Sequence, residues 1–363
     1  MNAFFYTRIF TPCASSKNLF YKVRTFLELN GHRITEDIES ADYIFINTCG
    51  FLESIEKELI KDIRHYSDTY QKQIVIFWCL GSISKELKTI PNIAFIIRVG
   101  EEDKFDDLFW WKVKYNTVPV LPRKMQEFDK INSFVLSTWR WCIHNCSFCA
   151  TKRAIGHIKS IPMEIIKENL LEWIKQGYKN FFLTWDDIAS YGRDLGYDFA
   201  DLFELLVSAD ESTYFTLDHM ETSWLREIFQ KLEPHMHRII EMRLPVQSFS
   251  DRKLSLMNRK YTSQEYLDLV SMIKNSNNDV KIINYIIYWY PTETDEEFMR
   301  ELKWTNFTDR TVFFPYSERP YTKKFLEQEK LNKSILVDRI KKVLSLEKYN
   351  PDKFIAAWFY WSR

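Results

Sequence analysis

Apolar residues along this chain fall into two recurring patterns. Near-continuous runs, Tyr43-Ile44-Phe45-Ile46 within the stretch 41–49 and Ile74-Val75-Ile76-Phe77-Trp78 within 73–79, mark strands buried on both faces of a parallel sheet. Ala3 to Phe10 and Asn92 to Arg98 read as further strands. Between the strands, apolar residues recur at spacings of three and four. Leu19, Val23, Phe26 and Leu27 do so in a helix over Asn18 to Asn30 that Gly31 stops, and Leu52, Ile55, Leu59 and Ile63 do so in the next. A short helix is expected around Ser84 to Leu87. This alternation predicts an open α/β sheet domain over residues 1–120.

The alternation then breaks and resumes. Val118-Pro119-Val120-Leu121-Pro122 places two prolines close together, so residues 121–133 read as a linker. A strand at Phe134 to Thr138 opens a second region, 134–345. Pro162 suits the first turn of a helix whose stripe is Met163, Ile166, Leu170, Trp173 and Ile174, with Gly177 as its stop. Strands are predicted at 180–184, 213–217, 239–246, 280–288 and 311–314. Thr262 with Glu265, and Thr294 with Glu297, have capping-box spacing ahead of helical patterns. The result is about six β/α units, as in a partial (β/α)6 TIM barrel. Residues 331–348 read as a helix, and 346–363 as an aromatic C-terminal tail ending Trp358-Phe359-Tyr360-Trp361.

With 363 residues there is room for both regions, and an apolar content of 45% suits a substantial core. The 50 basic and 50 acidic residues cancel, so no generic polyanion-binding surface is advertised. The N-terminus lacks a signal-peptide pattern, and no apolar run reaches the length of a membrane span. A cytoplasmic protein without a membrane partner is expected.

The candidate chemistry lies in six cysteines. Cys142, Cys146 and Cys149 form a Cys-x3-Cys-x2-Cys loop directly after a strand. Three thiolates so spaced can ligate three irons of a 4Fe-4S cluster and leave the fourth open to another ligand. A Cys3His zinc site using His144 or His157 competes with this reading, although the paired Cys-x2-Cys knuckles of zinc sites are missing. Cys13, Cys49 and Cys79 fall near the carboxyl ends of three predicted strands, the edge where open α/β folds bind ligands. Singly, each reads as an inert buried residue; together they can converge on a second cluster.

The loop, with aromatic Phe148 before its last cysteine, resembles the signature of the radical S-adenosylmethionine (SAM) enzymes. Further segments narrow the likeness to the radical SAM methylthiotransferases. Ala41-Asp42 through Asn47-Thr48-Cys49 resembles their AD-x-x-x-x-NTC segment, and Ser190-Tyr191-Gly192-Arg193-Asp194-Leu195 their SYG-x-DL stretch. Pro245-Val246-Gln247-Ser248 resembles the start of PVQSGS, Pro291-Thr292-Glu293-Thr294 resembles PGET, and Tyr316-Ser317-Glu318-Arg319 resembles YS-x-R.

This resemblance implies two 4Fe-4S clusters and SAM as cofactors. Cys142, Cys146 and Cys149 would be catalytic, holding the cluster that binds SAM, with Phe148 near the adenine. Cys13, Cys49 and Cys79 would hold an auxiliary cluster that carries the sulfur to be transferred. A flavodoxin-type or other reductase would supply electrons. Asp186, Gln247 and Ser248 are candidate cofactor contacts, each with a structural alternative: a solvated loop carboxylate for Asp186, and hydrogen bonds inside the barrel for the other two. Asp187 is weighed with Asp186, and Trp185 lies where SAM contacts occur. Arg243, inside a strand, is expected to pair with a substrate carboxylate or an internal acid. His219 is expected to be a structural hydrogen-bond partner.

The chain departs from the family pattern where glycines become Trp185, Phe249, Trp289 and Thr292, which reshapes the pocket and leaves the substrate open. Family members typically continue into a basic TRAM domain, and none is expected here. Together with the zero net charge, this weakens phosphate-backbone binding. The leading expectation is a methylthiotransferase acting on a peptide or small protein. A tRNA-adenosine methylthiotransferase is the alternative, and a non-catalytic zinc- or cluster-binding interaction protein is the alternative of another class.

Overall fold

The computed structural model describes residues 1–7, 14–50, 53–108, 111–118, 134–137, 139–140, 142–150, 152, 154, 158–184, 186–318 and 331–357. The chain divides into two compact units. One comprises Met1–Arg123 with Cys149–Gly156, the other Lys124–Phe148 with His157–Arg363.

The first unit is built on a parallel sheet. Its strands are β1 (Asn2–Thr7), β2 (Arg33–Thr35), β3 (Tyr43–Thr48), β4 (Gln73–Trp78) and β5 (Ile93–Ile97), in the order β2-β1-β3-β4-β5. Ile44, Phe45 and Ile46, and Ile74 through Phe77, are wholly buried, as strands covered on both faces require. Helix α1 (Ala14–Leu29) buries Leu19, Phe20, Val23, Phe26 and Leu27, and α2 (Glu53–Tyr70) buries Ile55, Leu59, Ile60 and Ile63. The expected stripes are therefore the core-facing ones, apart from Leu52, which lies outside the described residues. The single helix expected around 84–87 is split into a turn of helix, α3 (Leu80–Ile83), and a 3-10 turn at Glu86–Thr89.

The second unit is a seven-stranded parallel sheet. Strand β6 (Phe134–Ser137) is followed by a two-residue antiparallel ladder, β7 (Trp139–Arg140) with β8 (Lys159–Ser160). The remaining strands are β9 (Asn180–Thr184), β10 (Tyr214–Leu217), β11 (Ile239–Gln247), β12 (Lys281–Tyr288), β13 (Arg310–Pro315) and β14 (Phe354–Ala356), in the order β14-β13-β12-β11-β10-β9-β6. The intervening helices are α4 (Met163–Lys175), α5 (Phe199–Ala209), α6 (Thr222–Leu232), α7 (Asp251–Leu256), α8 (Ser263–Ser276), α9 (Asp295–Trp304) and α10 (Lys333–Tyr349). This is the α/β architecture expected, an N-terminal open sheet followed by a partial barrel. It has one amendment: within the region read as a tail, Phe354–Ala356 adds a seventh strand beside β13. Trp358 to Trp361 lie outside the described residues, as does the linker 121–133.

Local chemistry starts and stops these helices. Thr262 and Glu265 exchange side-chain-to-backbone hydrogen bonds, as do Thr294 and Glu297, so both expected capping boxes form. Gly177 takes φ +91 after α4 and lets the Tyr178 amide return to the Trp173 carbonyl.

One face of β12 carries Ile282, Asn284, Ile286 and Tyr288, all buried, while Tyr285 and Ile287 on the other remain half-buried.

Candidate active site

In the first unit, the register of β3 and β4 pairs Thr48 with Trp78. Cys49 and Cys79 are the next residues, so both leave adjacent strands at the same carboxyl edge, and both are buried. Trp78 has φ +83, a left-handed turn that carries Cys79 out of the strand to open α3. A Cβ at Gly50 would meet Ile83 Cδ1 at 2.3 Å, so the Ile83 side chain would have to move aside, and would touch Cys79 Cβ at 3.5 Å. On the far side of β3 runs β1, with Thr7 opposite Asn47. Cys13, further along the chain from β1, lies outside the described residues.

The β7–β8 ladder brackets the loop that carries Cys142, Cys146 and Cys149. Its middle is docked onto the end of α7. The Ser147 amide donates to the Met257 carbonyl at 3.1 Å, and the Ser147 hydroxyl to the Leu256 carbonyl at 2.7 Å. The Asn258 amide donates to the Asn145 carbonyl at 2.8 Å. Phe148 packs against an apolar cluster of Met257, Tyr290 and Tyr316, on which Leu256, Ile287 and Trp289 also pack. The Arg259 guanidinium stands over its ring, 5.6 Å from the centroid. Arg259 is buried, pairs loosely with Glu221 at 3.7 Å, and lies close enough to Cys146 and Cys142 to feel their charge. Its Nε is buried without a partner.

His144 is occupied otherwise than by metal. Its Nε2 lies 2.6 Å from Asp187 Oδ2, and its Nδ1 accepts from Trp224 Nε1 at 3.4 Å. Both ring nitrogens have protein partners in this arrangement, Asp187 and Trp224. His157 lies outside the described residues.

Asp187 also accepts from the amides of Ala189 and Glu221 and caps the 3-10 turn Ile188–Ser190, so its carboxylate is a structural clamp. Asp186 differs. It is exposed on the concave side yet walled by protein, and its carboxyl is pushed up to about 6 by that enclosure together with the charges of Asp218 and Asp187. Burial, followed by the charges of Asp187 and Asp186, pushes the Cys142 thiol up; a bound cation reverses that order and favours the thiolate.

Deeper in the concave face, Asp218 accepts from Thr184 Oγ1 at 2.7 Å and meets His219 Nδ1 at 2.8 Å. Arg243 pairs with Glu241 at 3.0 Å and Asp218 at 3.5 Å, so its partners are internal acids. Burial works to lower the His219 pKa, but the Asp218 carboxylate holds it above the usual value. Its ring stacks on Tyr285, which stacks on Phe314. His219 is the structural partner expected.

Two cofactor candidates separate. Gln247, at φ +69 at the carboxyl end of β11, is half-buried and available. Ser248 is not: it is fully buried, donates to Glu301 and accepts from the Ser250 amide, so no surface remains to meet a ligand. The expectation of a cofactor contact at Ser248 is corrected to a structural one. Glu301 belongs to a wholly buried charge cluster with Lys253, Glu293 and Arg339, in which Glu293 also accepts from the Trp289 amide at 2.7 Å. The sequence assigns no role to Lys253, Arg259, Glu293 or Arg339, although Glu293 falls in the Pro291-Thr292-Glu293-Thr294 segment. Trp185 lies outside the described residues.

Among the described residues, no three Cys, His, Asp or Glu side chains gather around one point. What fits iron–sulfur chemistry is the donor set, all thiolates, together with the buried cation Arg259 beside Cys142 and Cys146 to offset the cluster's negative charge.

Residues 136–305 match the family described as Radical SAM superfamily, so the curved parallel sheet with a cysteine loop after its first strand defines the chain as a radical SAM enzyme. Residues 10–97 match Uncharacterized protein family UPF0004. The ribosomal protein uS12 methylthiotransferase RimO of Thermodesulfovibrio yellowstonii is 29% identical over 322 residues, spanning 82% of this chain and 72% of that protein. The tRNA-2-methylthio-N(6)-dimethylallyladenosine synthase of Fusobacterium nucleatum is 25% identical over 355 residues, 92% of this chain and 81% of its own. Among solved structures, the radical SAM methyltransferase TsrM of Kitasatospora setae shares the fold, with a TM-score of 0.61 at 12% identity over 88% of this chain and 76% of that one. The chain belongs to the radical SAM methylthiotransferase family, whose members use SAM and two 4Fe-4S clusters.

Proposed function

We propose that this enzyme replaces an unactivated C–H bond with C–SCH3 on a peptide or small protein, with residues 1–120 as the auxiliary-cluster domain and 134–345 as the SAM-binding barrel. Cys142, Cys146 and Cys149 hold one cluster; Cys13, Cys49 and Cys79 hold the other. When bound, the clusters and SAM supply the electron, the hydrogen-abstracting radical and the methylthio group.

The chain's own residues hold and shield. Ser147 and Asn258 fasten the cysteine loop to the end of α7, and Asp187 fixes it from the other side through His144. The box around Phe148 offers an apolar, aromatic wall for the adenine. Asp186, the carboxylate that the fold leaves open, would hold the SAM ammonium, and Gln247 would offer an amide to the same ligand. A flavodoxin-type or other reductase donates the electrons.

The observation that carries the reading is the placement of Cys49 and Cys79, side by side at one sheet edge, in a chain that also carries the radical SAM loop. For the substrate, the support is charge balance: 50 basic against 50 acidic residues leave no net positive charge to draw in a polyanion. The relatives divide, one named for a ribosomal protein and another for tRNA.

The test is anaerobic reconstitution followed by reaction with SAM, reductant and two substrate pools, unmodified ribosomal protein uS12 and total tRNA. The expected result is 5′-deoxyadenosine formation and a mass gain of methylthio for hydrogen on protein. Modification confined to tRNA nucleosides overturns the substrate, and zinc uptake without 5′-deoxyadenosine overturns the enzyme reading.

A further inference from the structure

The Asn47-Thr48-Cys49 triplet does more than deliver one cysteine. Thr48 is the last residue of β3 and its side chain is wholly buried. Its hydroxyl donates to the Phe77 carbonyl at 2.8 Å and accepts from the Leu80 amide at 3.2 Å. These two groups lie on either side of Trp78-Cys79, so one hydroxyl staples the turn that presents Cys79. One of these bonds fills a vacancy: the Leu80 amide, at the first position of α3, has no partner within its helix.

Asn47 acts toward the other neighbour of β3. Its Nδ2 donates to Ser16 Oγ at 2.9 Å and to the Ser16 carbonyl at 3.3 Å, and the Ser16 hydroxyl contacts Asn47 Oδ1 at 3.2 Å. Ser16 sits in the first turn of α1, the segment that follows Cys13 in the chain. Both side chains are 1% exposed, so these bonds are made out of water, where an unmade partner is costly.

We propose that Asn47 and Thr48 are positioning residues for the auxiliary cluster, each tying the strand that carries Cys49 to the turn beside one of the other two cysteines. The proposal rests on the reading that Cys13, Cys49 and Cys79 bind that cluster. Groups that orient ligands without touching the metal typically set metal affinity by about 10- to 100-fold. A hydroxyl is required at 48, because only a group that donates and accepts can serve a carbonyl and an amide together.

The experiment uses the full chain with Cys142, Cys146 and Cys149 changed to alanine, so that iron and sulfide report the auxiliary cluster alone. The readouts are iron and sulfide per chain, the rate of iron loss to a chelator, and the electron paramagnetic resonance spectrum of the reduced cluster. Thr48→Val should lose iron about 10- to 100-fold faster with a changed spectrum, and Thr48→Ser should match the parent. The proposal is overturned if Thr48→Val retains iron like the parent, or if Thr48→Ser fails as badly as valine. Circular dichroism reports folding; should Thr48→Val not fold, Ser16→Ala decides by the same limits. If the parent takes up no iron, the cluster assignment itself fails and the inference falls with it. If the parent loads and Thr48→Val is silent, only the inference falls.

Discussion

Lys253→Met is the perturbation with the best-defined arithmetic. Lys253 is wholly buried with Glu293 and Glu301, and Arg339 is the second cation, serving Glu293 and Asp295. Methionine keeps the volume and removes the charge, leaving two buried carboxylates against one guanidinium. Glu293 retains Arg339, and Glu301 is left with only the Ser248 hydroxyl and the Phe249 amide. Breaking such a pair costs about 3–5 kcal/mol. Burial already holds the Glu301 carboxyl above its ordinary value, so it takes up a proton and limits the loss to the lower end, about 3 kcal/mol. At about 2–4 °C per kcal/mol for a unit of this size, Tm should fall by roughly 6–12 °C. The assay is anaerobic thermal unfolding followed by circular dichroism at neutral pH. The double variant Lys253→Met/Glu301→Gln removes the stranded carboxylate and keeps its acceptor, so it should recover more than half of the loss. A single variant within about 1 °C of wild type, or a double variant less stable than the single, refutes charge imbalance as the cause.

Two further outcomes follow. Asp186→Ala should leave iron content and Tm unchanged while weakening SAM binding about tenfold, the loss of one charge-assisted contact. Asp187→Ala should lower Tm and iron retention first, because that carboxylate clamps His144 and two amides; equilibrium binding and iron analysis on the two variants separate the roles. Burial works to raise the Glu297 carboxyl, but Arg252, Ser250 and the Thr294 amide hold it down to about 2, from an ordinary 4.5. Its folded pKa is the depressed one, so its stabilisation is complete above about 4.5 and is lost as pH falls toward 2. With solvent screening at the half-exposed Arg252, the contribution is about 1–2 kcal/mol, and Glu297→Gln should flatten Tm against pH across that window.

Strands 43–48, 73–78 and 180–184 were legible because continuous apolar runs need cover on both faces, and no surface element looks the same. The threonine capping boxes were legible because their partners lie three residues apart. The equivalent box at Asp198 and Asp201 was missed, as it uses two aspartates in place of the usual pair. Arg33–Thr35 is too short and polar to stand out, and Phe354–Ala356 reads as a strand only once β13 provides its partner. The site divides along the same line. Cysteine spacing is local and readable, whereas choosing between the two readings of Ser248 required Glu301, which claims it from 53 residues away in the chain. Arg243 could be placed inside a strand, but its choice of Glu241 and Asp218 required the register. At two positions where the family pattern has glycine, Trp289 and Thr292 keep positive φ, 58° and 63°, so the backbone shape survives a change that composition alone would count as lost.

The buried strands beneath Cys49 and Cys79 bear on how the enzyme matures. Ile44 through Ile46 and Ile74 through Phe77 form a complete apolar core before any metal arrives, and the cysteines stand at its rim. A zinc finger collapses when its ion is taken away, because the ion replaces a core it lacks. On the proposed assignment the apoprotein is expected to be a folded acceptor, and iron–sulfur assembly a late insertion into a finished scaffold. A metal-free chain that keeps its circular dichroism spectrum and takes up iron again without denaturant would bear this out.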